Sequence, residues 1–227
     1  MRVWDFPLRL FHWALFVSII GAIISAKAGV LWVHERFGLT VLGLIIFRVV
    51  WGFVGGHYAR FRQFLAMPRM AFQELQTLFK SAPKPESKSN IEIKVGHSAL
   101  GSYAVLGLLG IPLFMAISGT MSNDDVLFDG PLAHLVANFT DKATSAHHFG
   151  EKLLFSILFL HIGAILFYKY KKKRNLTKAM VTGNVDAMLA SAADGSISAN
   201  HSYFGLLLML VFIAAAQSIT LLRPAIF

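Results

Sequence analysis

Five runs of this chain, residues 8–26, 37–54, 99–121, 153–168 and 203–222, are apolar and long enough to be read as membrane spans. The hydrocarbon core of a bilayer takes about 20 apolar residues of helix, with a range of roughly 17 to 25. Backbone amides find no water there, so each run must close its own hydrogen bonds as a helix. The expected fold class is therefore all-α and integral to the membrane. The fourth run is short by this measure and is expected to borrow a first turn from the residues around His148. A content of 56% hydrophobic and 15% charged residues agrees with this class, being too apolar for an ordinary soluble domain of 227 residues.

The net charge of +9 does not point to nucleic acid, because the basic residues flank the apolar runs and alternate between the two sides of a membrane. With a cytoplasmic N-terminus, the inner segments carry Arg2, Arg9, Arg60, Arg62, Arg69 and the lysines and arginines of 80–94 and 169–178. The outer segments keep Lys27, Arg36, Lys142, Lys152 and Arg223, offset by Glu35, Asp124, Asp125, Asp129, Asp141 and Glu151. Five spans then leave the C-terminus outside, periplasmic if the membrane is a bacterial inner membrane. Ala26-Lys27-Ala28 resembles a signal-peptidase site, but His12 inside the run and Asp5 and Phe6 before it suit a retained span better.

Between the spans, residues 60–80 place Met70, Phe72, Leu75 and Leu78 at helical spacing after Pro68, which predicts an interfacial amphipathic helix lying on lipid. Residues 81–90, rich in Ser, Pro and Lys, read as a linker. The chain divides into a bundle over 1–183 and a linker with a fifth span over 184–227.

Cysteine is absent, which excludes disulfides, thiolate-bound zinc, iron-sulfur clusters and covalent c-type haem. The nine histidines are therefore the metal-binding resource. A lone histidine on an apolar helix is most often a packing residue, whereas a metal site needs partners at the same depth. His147 and His161 are 14 residues apart, which on an ideal helix is about 21 Å of rise and nearly one face. His12 begins the first span at the depth of His161, and His34 begins the second at the depth of His147. Two imidazole pairs at two levels follow, and helix bundles bind cofactors through such inward side chains. Arg48 lies 14 residues after His34, at the level of His161. A guanidinium there needs an anion, supplied by a cofactor carboxylate such as a haem propionate or by headgroups it snorkels to. Gly21, Gly43, Gly107 and Gly110 serve either a flat ring's approach or bare helix packing.

The stretches Trp4-Asp5-Phe6-Pro7-Leu8-Arg9-Leu10-Phe11-His12, His34 with Phe47-Arg48-Val49-Val50-Trp51-Gly52, Gly96-His97-Ser98-Ala99, His147 to His161, and Asn175-Leu176-Thr177-Lys178-Ala179-Met180-Val181-Thr182-Gly183 resemble the bacterial cytochrome b-561 and nickel-iron hydrogenase b-subunit family. The resemblance implies a four-helix bundle holding two non-covalent, bis-histidine b haems, with His12, His34, His147 and His161 as iron ligands. It further implies exchange with the quinone pool and a redox partner, often periplasmic. His97, at the start of the third span, is a candidate for a propionate or quinone contact. The family commonly places an acidic residue after the first histidine of the fourth helix, where this chain has His148. His147 and His148 thus both stand as candidates, and the spacing favours His147. The fifth span, which shorter members lack, is either a lid on the bundle or a docking surface for another subunit.

The function expected is a membrane di-haem cytochrome passing electrons between quinone and a redox partner. The acidic outer loop with Asp124, Asp125, Asp129 and Asp141 suits a basic c-type cytochrome. Two competing readings are a membrane anchor for a hydrogenase-like complex and a histidine-based divalent-metal transporter. The latter calls for acidic residues deep in the spans, and the five predicted runs hold none.

Overall fold

The computed structural model describes residues 4–65, 67–78, 99–124, 128–171, 173, 175–183 and 199–224, and within them the fold is helical. Five helices have the length and apolarity to cross a membrane: α1 (Phe6–Lys27), α2 (Leu31–Val54), α5 (Ala99–Thr120), α6 (Thr140–Tyr170) and α8 (Ala199–Ser218). Three shorter ones are α3 (Phe61–Phe64), α4 (Pro68–Leu78) and α7 (Leu176–Thr182). The end of the bundle that carries the start of α1 is called the near end below, and the opposite one the far end.

The start of α1 is set by Asp5, whose Oδ1 accepts the Leu8 amide at 2.8 Å, with Pro7 in the first turn where its missing N–H loses nothing. The helix stops at Ala28, and Gly29, at φ 71°, turns the chain straight into α2. The two helices then pack closely, with the Phe37 ring seated on Gly21.

Helix α2 is the centre of the molecule. Leu44, Ile45, Phe47 and Trp51 are fully buried, and the Phe47 and Trp51 rings stack at 5.7 Å, one turn apart. Helices α1, α5 and α8 all pack on α2, while α6 packs on α5. Among the described residues α1 and α6 barely touch, and the Lys27–Glu151 ion pair, at 2.8 Å, joins them.

The fourth span departs from expectation. Far from being short, α6 runs for 31 residues and begins at Thr140. Its first three turns are too polar, with Asp141, Lys142, His147, His148, Glu151 and Lys152, for an apolar window to find them. The longer helices also take in Glu35 and Glu151, so acidic residues do lie within spanning helices, each paired with a cation.

The fifth span lies along the side of α2. Gly43 lets the two backbones meet, since a Cβ there would stand 2.7 Å from Ile213 Cα. Gln217 donates to Arg36 O at 2.9 Å and to Thr40 Oγ1 at 3.0 Å. Gly21 and Gly43 therefore serve helix packing, and Gly107 sits beside Ile157 of α6.

The predicted amphipathic helix is α4, preceded by a turn at His57–Ala59 and by α3. Phe72, Met70 and Leu75 are exposed, as an interfacial helix requires. Glu74 on α4 accepts the Leu100 amide at 2.9 Å, capping the start of α5. Helix α7, capped by Asn175 at Lys178 N, ends on Gly183 at φ 81°. There Gly183 O accepts the Trp4 amide at 3.2 Å, and Val181 O accepts from Arg9, so the segment after α6 docks on the start of α1.

Candidate functional site

At the far end the His34 and His147 rings face each other edge to face, with centroids 6.0 Å apart. Each is held by a carbonyl from a neighbouring helix. His34 Nδ1 lies 2.8 Å from Ala22 O on α1, and His147 Nδ1 lies 2.9 Å from Met115 O on α5. A carbonyl only accepts, so both Nδ1 atoms carry the proton and each Nε2 keeps its lone pair. Carbonyls that orient an imidazole in this way are a recurring support for metal-bound histidine. Two metal–nitrogen bonds of about 2 Å, with about 1 Å from each nitrogen to its ring centre, span about 6 Å. Rings joined by a direct hydrogen bond would lie closer, with centroids about 5 Å apart.

The pair opens on a cleft lined by Glu35, Gly38, Met115, Gly119, Phe128 and Pro131 besides the two histidines. Gly119 sits under the His147 ring, where a Cβ would come within 3.0 Å of Cε1, and a Cβ at Gly38 would meet nothing within 4 Å. His148, adjacent in sequence, is exposed, its ring 6.4 Å from that of His147. It is therefore His147 that meets His34.

At the near end His12 stands on α1 and His161 on α6. His12 Nδ1 is buried without a hydrogen-bond partner among the described residues. The same holds for Arg48 Nη1, on a side chain only 3% exposed. Arg48 therefore does not snorkel. Its guanidinium stands 4.8 Å over the Phe61 ring, which Gly52 admits, and it interacts with the Asp5 carboxylate. Asp5 Oδ2 also accepts Trp51 Nε1 at 3.2 Å, so one carboxylate ties the start of α1 to α2. His97 falls outside the described residues.

Of the remaining histidines, His57 and His134 are exposed, as expected of loop residues. His201, in the first turn of α8, is half-buried against Trp51, with centroids 5.8 Å apart. Among the described residues no group of three or more His, Asp or Glu converges as a metal-ion site. The far-end donors are a pair of imidazoles, which suits an iron that already has four ligands from a porphyrin better than a bare divalent ion. Paired rings at a metal-bridging distance, freed Nε2 atoms and buried near-end donors without partners all fit b-type haem.

Sequence reasoning missed the supporting residues. The carbonyls of Ala22 and Met115 carry no side-chain signal. Gly119 is one of 18 glycines, and Glu35 reads as a loop charge until α2 is seen to begin before it.

No curated protein and no solved structure matches the chain. The family model for prokaryotic cytochrome b561 matches residues 3–183, which takes in α1 through α7 and both histidine pairs and leaves α8 outside. The chain belongs to the prokaryotic cytochrome b561 family.

Proposed function

We propose that the chain is a di-haem electron carrier, with one b haem held by His34 and His147 and the other by His12 and His161. The observation that carries this reading is the 6.0 Å separation of the His34 and His147 rings with both Nδ1 atoms tied to carbonyls. Haem b, when bound, supplies a one-electron ferric/ferrous couple. The protein's part is to fix geometry and surroundings. Ala22 O and Met115 O hold the far imidazoles in one tautomer, so their lone pairs are ready without reorganisation. The face shared by His147 and His161 on α6 sets the two levels about 21 Å apart along the helix. At the near end, Arg48 Nη1 is the donor best placed for a propionate, being buried and without a partner.

In this reading electrons pass between the quinone pool, at the near end, and a redox partner at the far end. The charge distribution supports a cytoplasmic near end, a periplasmic far end and the bacterial inner membrane. His97 is proposed as a contact for quinone or propionate. The far-end acidic residues Asp124, Asp129 and Asp141 support a basic partner such as a c-type cytochrome.

The test is His161→Ala in protein purified from haem-replete cells. The near-end haem signal should disappear or change while the far-end one persists, and a spectrum identical to the wild type would refute the assignment.

A further inference from the structure

Beyond α8, the 3-10 turn Ile219–Leu222 brings Arg223 to the far-end cleft. Arg223 Nη2 lies 2.6 Å from Glu35 Oε2, whose side chain is only 8% exposed. It also donates to Asp129 O at 2.7 Å, and its guanidinium stands 5.6 Å over the Phe128 ring. Glu35 and Phe128 are both walls of the cleft that contains His34 and His147. Arg223 thus grips two walls from behind. Helix α8, joined to Arg223 by the 3-10 turn Ile219–Leu222, is anchored on α2 by the Gly43–Ile213 contact and by Gln217, and it lies outside the family match.

We infer that Arg223 is a positioning residue of the far site: it holds segment 128–131 against the cleft and balances the Glu35 carboxylate next to the imidazole pair. This rests on the di-haem reading. An unbalanced carboxylate in a poorly solvated wall favours the oxidised, more positive iron, and an unbalanced guanidinium favours the reduced one. The near pair lies about 21 Å away along α6, so the effect falls on one haem only. The C-terminal helix accordingly forms part of the far site and sets its redox poise.

The test compares Arg223→Ala, Arg223→Lys, Glu35→Gln and the wild type in full-length protein, with the near haem as internal standard. At fixed poise, the oxidised-to-reduced ratio of the far haem should rise several-fold in Arg223→Ala. It should fall in Glu35→Gln and return toward the wild type in Arg223→Lys. A merely structural role would not give opposite signs for the two partners. Hydrogen exchange at the Gly130 and Leu132 amides, which bond to Ser122 O and Thr120 O, provides a readout independent of haem. It should quicken in Arg223→Ala and stay slow in Glu35→Gln, which keeps the bond to Asp129 O. An unchanged far-haem ratio in Arg223→Ala, or shifts of the same sign in both partners, would overturn the inference. Should the protein hold no haem, the di-haem reading falls, and unchanged exchange in Arg223→Ala would overturn the clamp separately.

Discussion

Lys27 Nζ stands 2.8 Å from Glu151 Oε1 and joins the end of α1 to α6, two helices that among the described residues hardly touch. The two side chains are 67% and 37% exposed, so solvent screens the attraction and the pair is worth about 1 kcal/mol at most. Lys27→Ala should therefore leave thermal stability within about that amount of the wild type. A large drop in the unfolding temperature would show that the pair carries more of the α1–α6 contact than its exposure implies.

Asp5 does more. It is 4% exposed, caps α1 through Leu8 N, accepts Trp51 Nε1 and faces the buried Arg48. Asp5→Ala removes a cap worth about 1 kcal/mol and leaves the buried Trp51 Nε1 without its acceptor, for a combined loss of about 2 kcal/mol or more. Asp5→Asn, which keeps the acceptor for Leu8 N, should lose less. Equal denaturation curves for Asp5→Asn and the wild type would show that the charge contributes nothing.

Gly43 and Gly163 make a matched comparison. A methyl group at Gly43 would meet the Ile213 backbone, which cannot swing away, whereas one at Gly163 meets nothing within 4 Å. Gly43→Ala should cost about 1–3 kcal/mol by forcing α8 off α2. Gly163→Ala should be neutral or slightly stabilising, because alanine suits a helix better than glycine. Thermal unfolding of both variants in one detergent decides it.

The far-end acidic residues suggest a kinetic test. If Asp124, Asp129 and Asp141 steer a basic soluble cytochrome, the rate of electron transfer to it should fall as salt rises from low to physiological ionic strength. A rate insensitive to salt would sink the steering idea while leaving the haem sites untouched.

How much of this was legible in the sequence follows from which features have a local signal. The five spans come from hydropathy, and the meeting of His34 with His147 from helical spacing and depth. The start of α6 did not, because the polar residues from Thr140 to Lys152 continue a helix that no apolar window records. The role of Arg48 was half readable: its depth follows from spacing, but its place over Phe61 depends on how α3 folds back against Gly52. Gly21 and Gly43 look alike in sequence and differ only in what tertiary packing sets beside them, a Phe37 ring and the α8 backbone. Arg223 reads as a terminal surface charge, and only the fold brings it to Glu35.

The central claim is most directly tested by counting haem, from reduced α-band absorbance and pigment extraction, in the wild type, His147→Ala and His148→Ala. The account predicts about two haems per chain in the wild type and in His148→Ala, and about one in His147→Ala. Colourless, properly folded wild type, or His147→Ala with a full complement of haem, would contradict it.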